Sequence, residues 1–91
     1  MTVTLRLPSV LKVAVGADRI RVEGATVGEA LDAACAALPN LRAHILQESG
    51  ELRPHVLCLL NGRNLLRDGF AGHAVEDGDE LLIHQAISGG R

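Results

Sequence analysis

The last residues of the chain have the types and spacing best suited to chemistry. Residues 88–91 read Ser-Gly-Gly-Arg and directly follow an alternating apolar segment. A carboxylate after two glycines becomes a good acyl donor once it is joined to AMP, because a sulfur or nitrogen nucleophile can attack the mixed anhydride. Glycine has no Cβ to hinder that attack, and an extended glycine segment can thread a narrow channel. A Gly-Gly pair also fits a loose chain end, so the preceding domain decides the interpretation.

Other polar side chains do not form a recognisable catalytic set. None of the four histidines is at metal-ligand spacing from another histidine or a cysteine; they are His44, His55, His73 and His84. The acids of residues 76–80 could form a carboxylate pair, but a solvated charged turn is the simpler interpretation. No serine lies in a nucleophile elbow, and no glycine-rich phosphate loop opens a helix. The sequence therefore predicts no enzyme active site, metal site or bound cofactor.

Size and composition predict one small domain. The chain has 91 residues, of which 47% are hydrophobic, enough for one modest core. A formal net charge of -2 argues against nucleic acid as the main partner. The apolar runs 33–38 and 56–60 are far shorter than the ~20 residues of a membrane span. Without a secretory signal pattern at the N-terminus, a cytoplasmic protein is expected, with Cys35 and Cys58 as buried free thiols.

Alternating patterns near the N-terminus predict a β-hairpin. Residues 2–7 alternate apolar and polar side chains, and residues 18–23 alternate again. Pro8 ends the first strand. Residues 9–16 are interpreted as a connection, part of which extends the strand or packs beneath it.

A helix after Gly24 is the best-defined predicted element. Thr26 and Glu29 have capping-box spacing, in which the threonine caps the first turn and the glutamate reaches back. Pro39 and Asn40 end the helix. The apolar stripe at helical spacing consists of Val27, Leu31, Ala34 and Leu38.

The remaining segments complete an α+β domain. Residues 41–47 could form a short helix, and the continuous apolar run 56–60 is typical of a strand buried on both faces. Asn61-Gly62 predicts a tight turn. Leu65 and Leu66 could begin a short strand, and residues 81–87 form the last one. One sheet covered by one helix is expected in residues 1–87, followed by a flexible tail at 88–91.

The sequence resembles the MoaD/ThiS family of ubiquitin-like sulfur carriers over nearly its whole length. The resemblance rests on a combination of motifs: Val-Thr-Leu-Arg-Leu-Pro at 3–8, Ala-Thr-Val-Gly-Glu-Ala-Leu at 25–31, Leu-Asn-Gly at 60–62, Val-Glu-Asp-Gly-Asp-Glu-Leu at 75–81 and Ile-Ser-Gly-Gly at 87–90. It implies an α+β, β-grasp (ubiquitin-like) fold with a mixed four- to five-stranded sheet covered by one main helix.

The resemblance also implies a carrier that partner enzymes act on. An E1-like adenylating enzyme of the MoeB/ThiF type would dock on the sheet around the last strand and use ATP to adenylate the Gly90 carboxylate. Conversion to a thiocarboxylate would then supply sulfur to a biosynthetic acceptor enzyme, for cysteine, thiamin, molybdopterin or a secondary metabolite. Gly89 would give access, and Ile87 and Ser88 would guide the tail. This chain itself would bind no cofactor.

Arg91 departs from the family pattern, which ends in Gly-Gly. In this chain the Gly90 carboxyl group is tied up in a peptide bond to Arg91. The resemblance therefore implies that a peptidase of the JAB/JAMM type removes Arg91 before activation.

Two other interpretations remain open. The first is a ubiquitin-like modifier attached through Gly90 to lysines of target proteins. Lys12 is the only lysine in the chain, which makes chains of the modifier on itself improbable. The second is a non-covalent β-grasp interaction module, whose function would survive deletion of residues 89–91.

Overall fold

A single mixed sheet organises the chain. The computed structural model describes residues 1–65 and 69–85. In sequence order the elements are β1 (Thr2–Arg6), α1 (Ser9–Val15), β2 (Arg19–Glu23), α2 (Val27–Ala37), α3 (Leu41–Ile45), β3 (Val56–Leu60), β4 (Arg63–Asn64), a 3₁₀ turn (Phe70–Gly72) and β5 (Glu80–Gln85). No helix within the described ranges has the length and apolar character needed to cross a membrane.

The five strands are ordered β2-β1-β5-β3-β4. The predicted hairpin is confirmed, because β1 and β2 pair antiparallel. β5 is parallel to β1 and antiparallel to β3, so the last strand lies in the middle of the sheet. A parallel pair needs a crossover connection, and the chain between β1 and β5 contains α2. This arrangement confirms the predicted mixed sheet with one main helix, to which α1 and α3 are added.

The core lies between α2 and one face of the sheet. Alternate strand residues point toward the helix, as the period of two requires. Cys35 and Cys58 are both buried free thiols, which confirms that prediction. The fully buried large side chains are Leu5, Leu31, Leu41, Ile45, Leu81, Ile83, Val3, Val27, Val56 and Cys58.

The predicted cap at Thr26 is confirmed, and Glu29 reaches back as predicted, one residue farther than in a standard capping box. The Glu29 N–H donates to Thr26 Oγ1 at 3.2 Å, and Glu29 Oε1 accepts from the Ala25 N–H at 2.9 Å. The helix approaches the end of β2 so closely that a Cβ on Gly24 would lie 2.7 Å from the Ala30 nitrogen. Glycine at this position therefore allows the helix to lie against the sheet.

Residues 9–16 connect β1 to β2, as predicted. Of the two alternatives for this connection, packing beneath the strand is confirmed and extension of the strand is wrong, because α1 occupies most of the segment. Leu11 and Val15 are buried at i and i+4, whereas Val10 and Val13 are exposed. Gly16 ends the helix with φ 87°, and its N–H donates to the Lys12 carbonyl at 2.8 Å. Three valines favoured an extended interpretation, but burial of the i, i+4 pair outweighs this modest propensity.

Strand β3 differs from its prediction on one face. Val56 and Cys58 are fully buried, but Leu57 and Leu59 on the opposite face are only half-buried. No helix packs on that second face within the described residues, so the apolar run is not sandwiched as expected.

The other boundaries differ by a few residues. The short strand in this region is β4 (Arg63–Asn64), which ends before Leu65; Leu66, the other residue of the predicted strand start, lies outside the described residues. The last strand, expected at residues 81–87, is Glu80–Gln85 in the structure. Residues 86 and 87 also lie outside the described part.

Candidate functional site

The predicted tail residues lie outside the described part of the chain; they are Ile87, Ser88, Gly89, Gly90 and Arg91. The structure does describe β5, the strand that precedes them, at the centre of the sheet. The site is therefore built from β5 and from the sheet face that α2 leaves uncovered, which we call the outer face.

Three leucines form an apolar patch on this outer face. Leu82 of β5 lies opposite Leu59 of β3, and next to it Leu57 lies opposite His84. The leucines are half-buried and His84 is exposed. We call Leu57, Leu59 and Leu82 the outer patch. Because they share one face of two paired strands, they form a continuous apolar surface.

Charged residues border the outer patch on the β1 side. Arg6 lies opposite Leu82, and its Nη1 is 3.7 Å from Glu80 Oε1. Both side chains are about half exposed, at 48% and 47%. An ion pair this exposed is worth at most about 1 kcal/mol, so both groups remain available to a partner. Farther out, Arg19 lies opposite Arg6 and Arg21 opposite Thr4.

Side-chain hydrogen bonds stabilise the acidic turn before β5, which comprises residues 76–79. Asn61 Nδ2 donates to Asp79 Oδ1 at 3.0 Å, and the Glu76 N–H donates to Asp79 Oδ2 at 2.7 Å. These two bonds lower the pKa of Asp79 below its ordinary value. Asn61 Oδ1 also accepts from the Glu80 N–H at 2.9 Å. The side chains therefore fix the start of β5 against the β3–β4 turn.

A second acid, Asp77, connects the same turn to β1 by a hydrogen bond. Asp77 Oδ1 accepts from the Thr2 N–H at 2.6 Å, and the Gly78 N–H donates to the Thr2 carbonyl at 2.9 Å. Gly78 has φ 88°, a conformation that glycine adopts without strain. Asp77 and Asp79, two acids of the turn that was expected to be solvated, therefore have a structural role.

The cysteines are poorly suited to nucleophilic chemistry. Burial raises the pKa of the Cys58 thiol to about 12. The pKa of Cys35 is also raised, chiefly by burial, with Arg42 acting in the opposite direction. Raised pKa values leave little thiolate at neutral pH. Among the described residues, no group of three or more His, Cys, Asp or Glu side chains could hold a metal ion.

A surface cavity that no sequence pattern indicated lies beside the β3–β4 turn. Its volume is about 410 Å³. Its described lining mixes apolar, amide and basic side chains, and we assign no reaction to it. The residues lining it are Leu60, Asn61, Arg63, Asn64, Leu65, Gly69, Phe70 and His73. His73 Nδ1 is 3.1 Å from the Ala74 carbonyl oxygen.

The mixed five-stranded sheet with α2 on one face defines a ubiquitin-like β-grasp domain, the fold class predicted from the sequence. Residues 7–90 match the ThiS family, and the chain belongs to that family. The crystal structure of small archaeal modifier protein 1 from Haloferax volcanii is similar, with a TM-score of 0.85 and 34% identity. That match covers 99% of this chain and all of the other (100%).

Two further similarities agree with the family. In sequence, small archaeal modifier protein 1 of Haloferax volcanii is 42% identical over 76 residues, covering 79% of each chain. In structure, a chain of the Amycolatopsis orientalis BexX/CysO complex is similar with a TM-score of 0.84 and 28% identity, covering 97% of this chain and 99% of that one. This protein is thus one of the ubiquitin-like modifiers and sulfur carriers.

Proposed function

We propose that the chain is a sulfur-carrier protein that carries the sulfur as a thiocarboxylate on Gly90. This proposal rests on the match to the ThiS family, which extends from residue 7 to residue 90. The central position of β5 supports it, because the strand that precedes the tail is held between β1 and β3. Tail chemistry can then proceed with little effect on the folded domain.

The proposed reaction needs two steps and no redox partner. A carboxylate oxygen of Gly90 attacks the α-phosphorus of ATP, pyrophosphate leaves, and an acyl adenylate forms. A hydrosulfide-class donor then attacks the acyl carbon, AMP leaves, and a proton is released as the thiocarboxylate forms. ATP belongs to the adenylating partner. Gly89 gives access to the acyl carbon, and Ile87 and Ser88 position the tail.

Activation first requires a free Gly90 carboxylate, so the Gly90–Arg91 peptide bond must be hydrolysed. A metal-dependent peptidase of the JAB/JAMM type is the proposed enzyme. The processed chain is then the substrate of an E1-like enzyme of the MoeB/ThiF type, and its thiocarboxylate is the substrate of a sulfur-acceptor enzyme.

The outer patch is the proposed docking surface for the adenylating enzyme. The patch offers apolar area from Leu57 and Leu59 of β3 and from Leu82 of β5. Two exposed charged residues, Arg6 and Glu80, lie beside it. An apolar centre with a polar rim is the usual anatomy of a protein interface. The relative CysO, found in a complex with BexX, supports a role in which such a domain meets partner enzymes.

Pyrophosphate exchange with an E1-like enzyme tests the tail directly. The comparison is between the chain that ends at Gly90 and the chain that retains Arg91. We expect exchange of labelled pyrophosphate into ATP only with the former, because only that chain has a Gly90 carboxylate to adenylate. Equal exchange with both chains, or none with either while the enzyme activates another carrier, would refute the proposal.

A surface substitution tests the docking step separately. Leu82→Glu places a charge in the outer patch, and we expect KM for the carrier in pyrophosphate exchange to rise by about tenfold or more. Val13→Glu is the matched control, because Val13 is 95% exposed on α1, away from the sheet. If both variants keep the wild-type KM, the outer patch is not the docking surface.

A modifier function is the second candidate, because two relatives are named small archaeal modifier proteins. It uses the same Gly90 acyl adenylate but a lysine amine as the nucleophile. Higher-mass conjugates that carry this chain, and that vanish with Gly90→Ala, would favour the modifier. A thiocarboxylate without such conjugates would favour the carrier.

A further inference from the structure

Strand β2 forms an open edge of the sheet, with no further strand on its other side in the part of the chain that the structure describes. We propose that this edge binds an extended, acidic segment of a partner protein by strand addition. The proposal concerns a surface distinct from the outer patch and does not depend on the chemistry of Gly90.

The hydrogen-bond alternation of the hairpin shows which backbone groups are free for this purpose. The Gly24 N–H donates to the Met1 carbonyl, and the Leu7 N–H to the Asp18 carbonyl. In an antiparallel pair every second residue is bonded to its partner, so Ile20 and Val22 are directed to β1. The backbone groups of the three remaining residues face the open edge: Arg19, Arg21 and Glu23.

The side chains at this edge carry positive charge that is not neutralised. In the described ranges, neither Arg19 nor Arg21 is part of an ion pair. Arg19 also lies directly opposite Arg6, and like charges in this relation repel each other. Carboxylates at alternate positions of an added strand would lie beside Arg19 and Arg21 and relieve that repulsion.

On the face of the sheet that packs against the core, the residues next to the open edge are apolar. Ile20 is partly buried against the core, and so is Ala33 of the neighbouring α2. In an added strand, the residues between the acids point toward this side of the sheet. A β-branched residue there would extend the apolar layer past Ile20. The surface therefore fits a segment that alternates acidic and β-branched residues, in the strand-addition mode of peptide recognition.

The same charges disfavour a second copy of this chain as the occupant. Antiparallel pairing of β2 with itself, centred on Arg21, would place the two Arg21 side chains directly opposite each other. Glu23, which could otherwise pair with Arg19 of the second copy, already accepts from Thr2 Oγ1 and lies 3.5 Å from the N-terminal ammonium group. Edge charges of this kind limit self-pairing, whereas an acidic strand matches them.

The test uses a capped heptapeptide of alternating glutamate and valine, titrated into the full chain and followed by amide NMR. We expect hydrogen-exchange protection to appear at the outward-facing amides of Arg19, Arg21 and Glu23. Protection at Ile20 and Val22 should not change. The affinity should fall by about fivefold or more for Arg21→Glu, and with rising salt. Arg63→Glu on the opposite edge strand is the control and should bind like wild type.

Two peptide controls keep the test independent of the stability of any variant. Replacing each glutamate by glutamine should weaken binding, and N-methylation of the amides that would face β2 should abolish it. The proposal is overturned by no binding at millimolar peptide, by chemical-shift changes centred on the outer patch, by insensitivity to N-methylation, or by self-association through β2 without peptide.

Discussion

Thr26 accepts a hydrogen bond from an orphan N–H in the first turn of α2, and Asp79 accepts from the Asn61 amide and the Glu76 N–H where β5 begins. In both places a short polar side chain accepts from a backbone or amide N–H that has no partner in regular secondary structure. The capping box was predictable because its partners are three residues apart. The Asp79–Asn61 contact was not, because it joins residues 18 positions apart through the fold.

Thr26→Ala is expected to lower the free energy of unfolding by about 1 kcal/mol, because the Glu29 N–H loses its acceptor. Urea denaturation measures the change. Ser9→Ala at the start of α1 is the control, since α1 has no side-chain cap bond at its N-terminus. Identical denaturation of Thr26→Ala and wild type would contradict the role of the cap.

Asp79 should make stability depend on pH in the acid range. Its pKa is lowered in the folded state from the ordinary value of 3.8, so the native state binds fewer protons than the unfolded state there. The stabilisation is therefore present above that value and is lost as pH falls through the lower native pKa. We expect Asp79→Asn to lower Tm at pH 7, with the difference shrinking toward pH 2.

Glu48→Gln in the exposed loop before Gly50 serves as the control and should not alter Tm at either pH. A constant difference in Tm between Asp79→Asn and wild type across the acid range would show that the charge of Asp79 does not contribute to stability.

At the scale of elements, α2 and α1 show what patterns can predict. The sequence of α2 has a capping residue, an apolar stripe at helical spacing and a Pro-Asn pair that ends the helix. All three signals indicate the same helix. Helix α1 is only seven residues long and offers one buried pair, Leu11 and Val15. A pattern this short fits a helix or an irregular segment equally well, and packing against the core decides between them.

Leu31→Ala tests the packing of α2, because Leu31 is 2% exposed and faces the sheet. The expected loss of unfolding free energy is about 2–5 kcal/mol, from lost burial and the cavity left behind. Val13→Ala on the exposed side of α1 should change it by less than about 0.5 kcal/mol. Similar small losses for both variants would mean that the assigned buried face of α2 is wrong.

The outer face of the sheet could not be predicted from sequence patterns. The run 56–60 is apolar throughout, so alternation could not distinguish its core side from its outer side. The structure makes that distinction, with Val56 and Cys58 inward and Leu57 and Leu59 outward. The outer patch also needs Leu82 from a distant segment, and its register with Leu59 is a property of the sheet.

At the scale of the whole molecule, the domain and the tail have separate tasks in this account. The domain presents the outer patch, and residue 90 carries the reacting carboxyl group. The tail chemistry was inferred from local sequence, because Gly-Gly after a strand is a contiguous pattern. The docking surface needed the fold, because its three leucines come from β3 and β5.

Gly90→Ala in the chain ending at residue 90 should separate these two tasks. We expect Tm to remain that of wild type while the rate of thiocarboxylate formation falls, because a Cβ next to the acyl carbon hinders the incoming nucleophile. Leu82→Glu should instead raise KM. A lowered Tm for Gly90→Ala would contradict this separation of domain and tail.

The intact mass of the chain is the most direct test of thiocarboxylate formation at Gly90. It is measured on protein purified from its native host, and again after incubation with an E1-like enzyme, ATP and sulfide. We expect loss of Arg91, followed by a mass gain that corresponds to replacement of one oxygen by sulfur. A mass that retains Arg91 under every condition, while the same enzyme activates another carrier, would contradict the account.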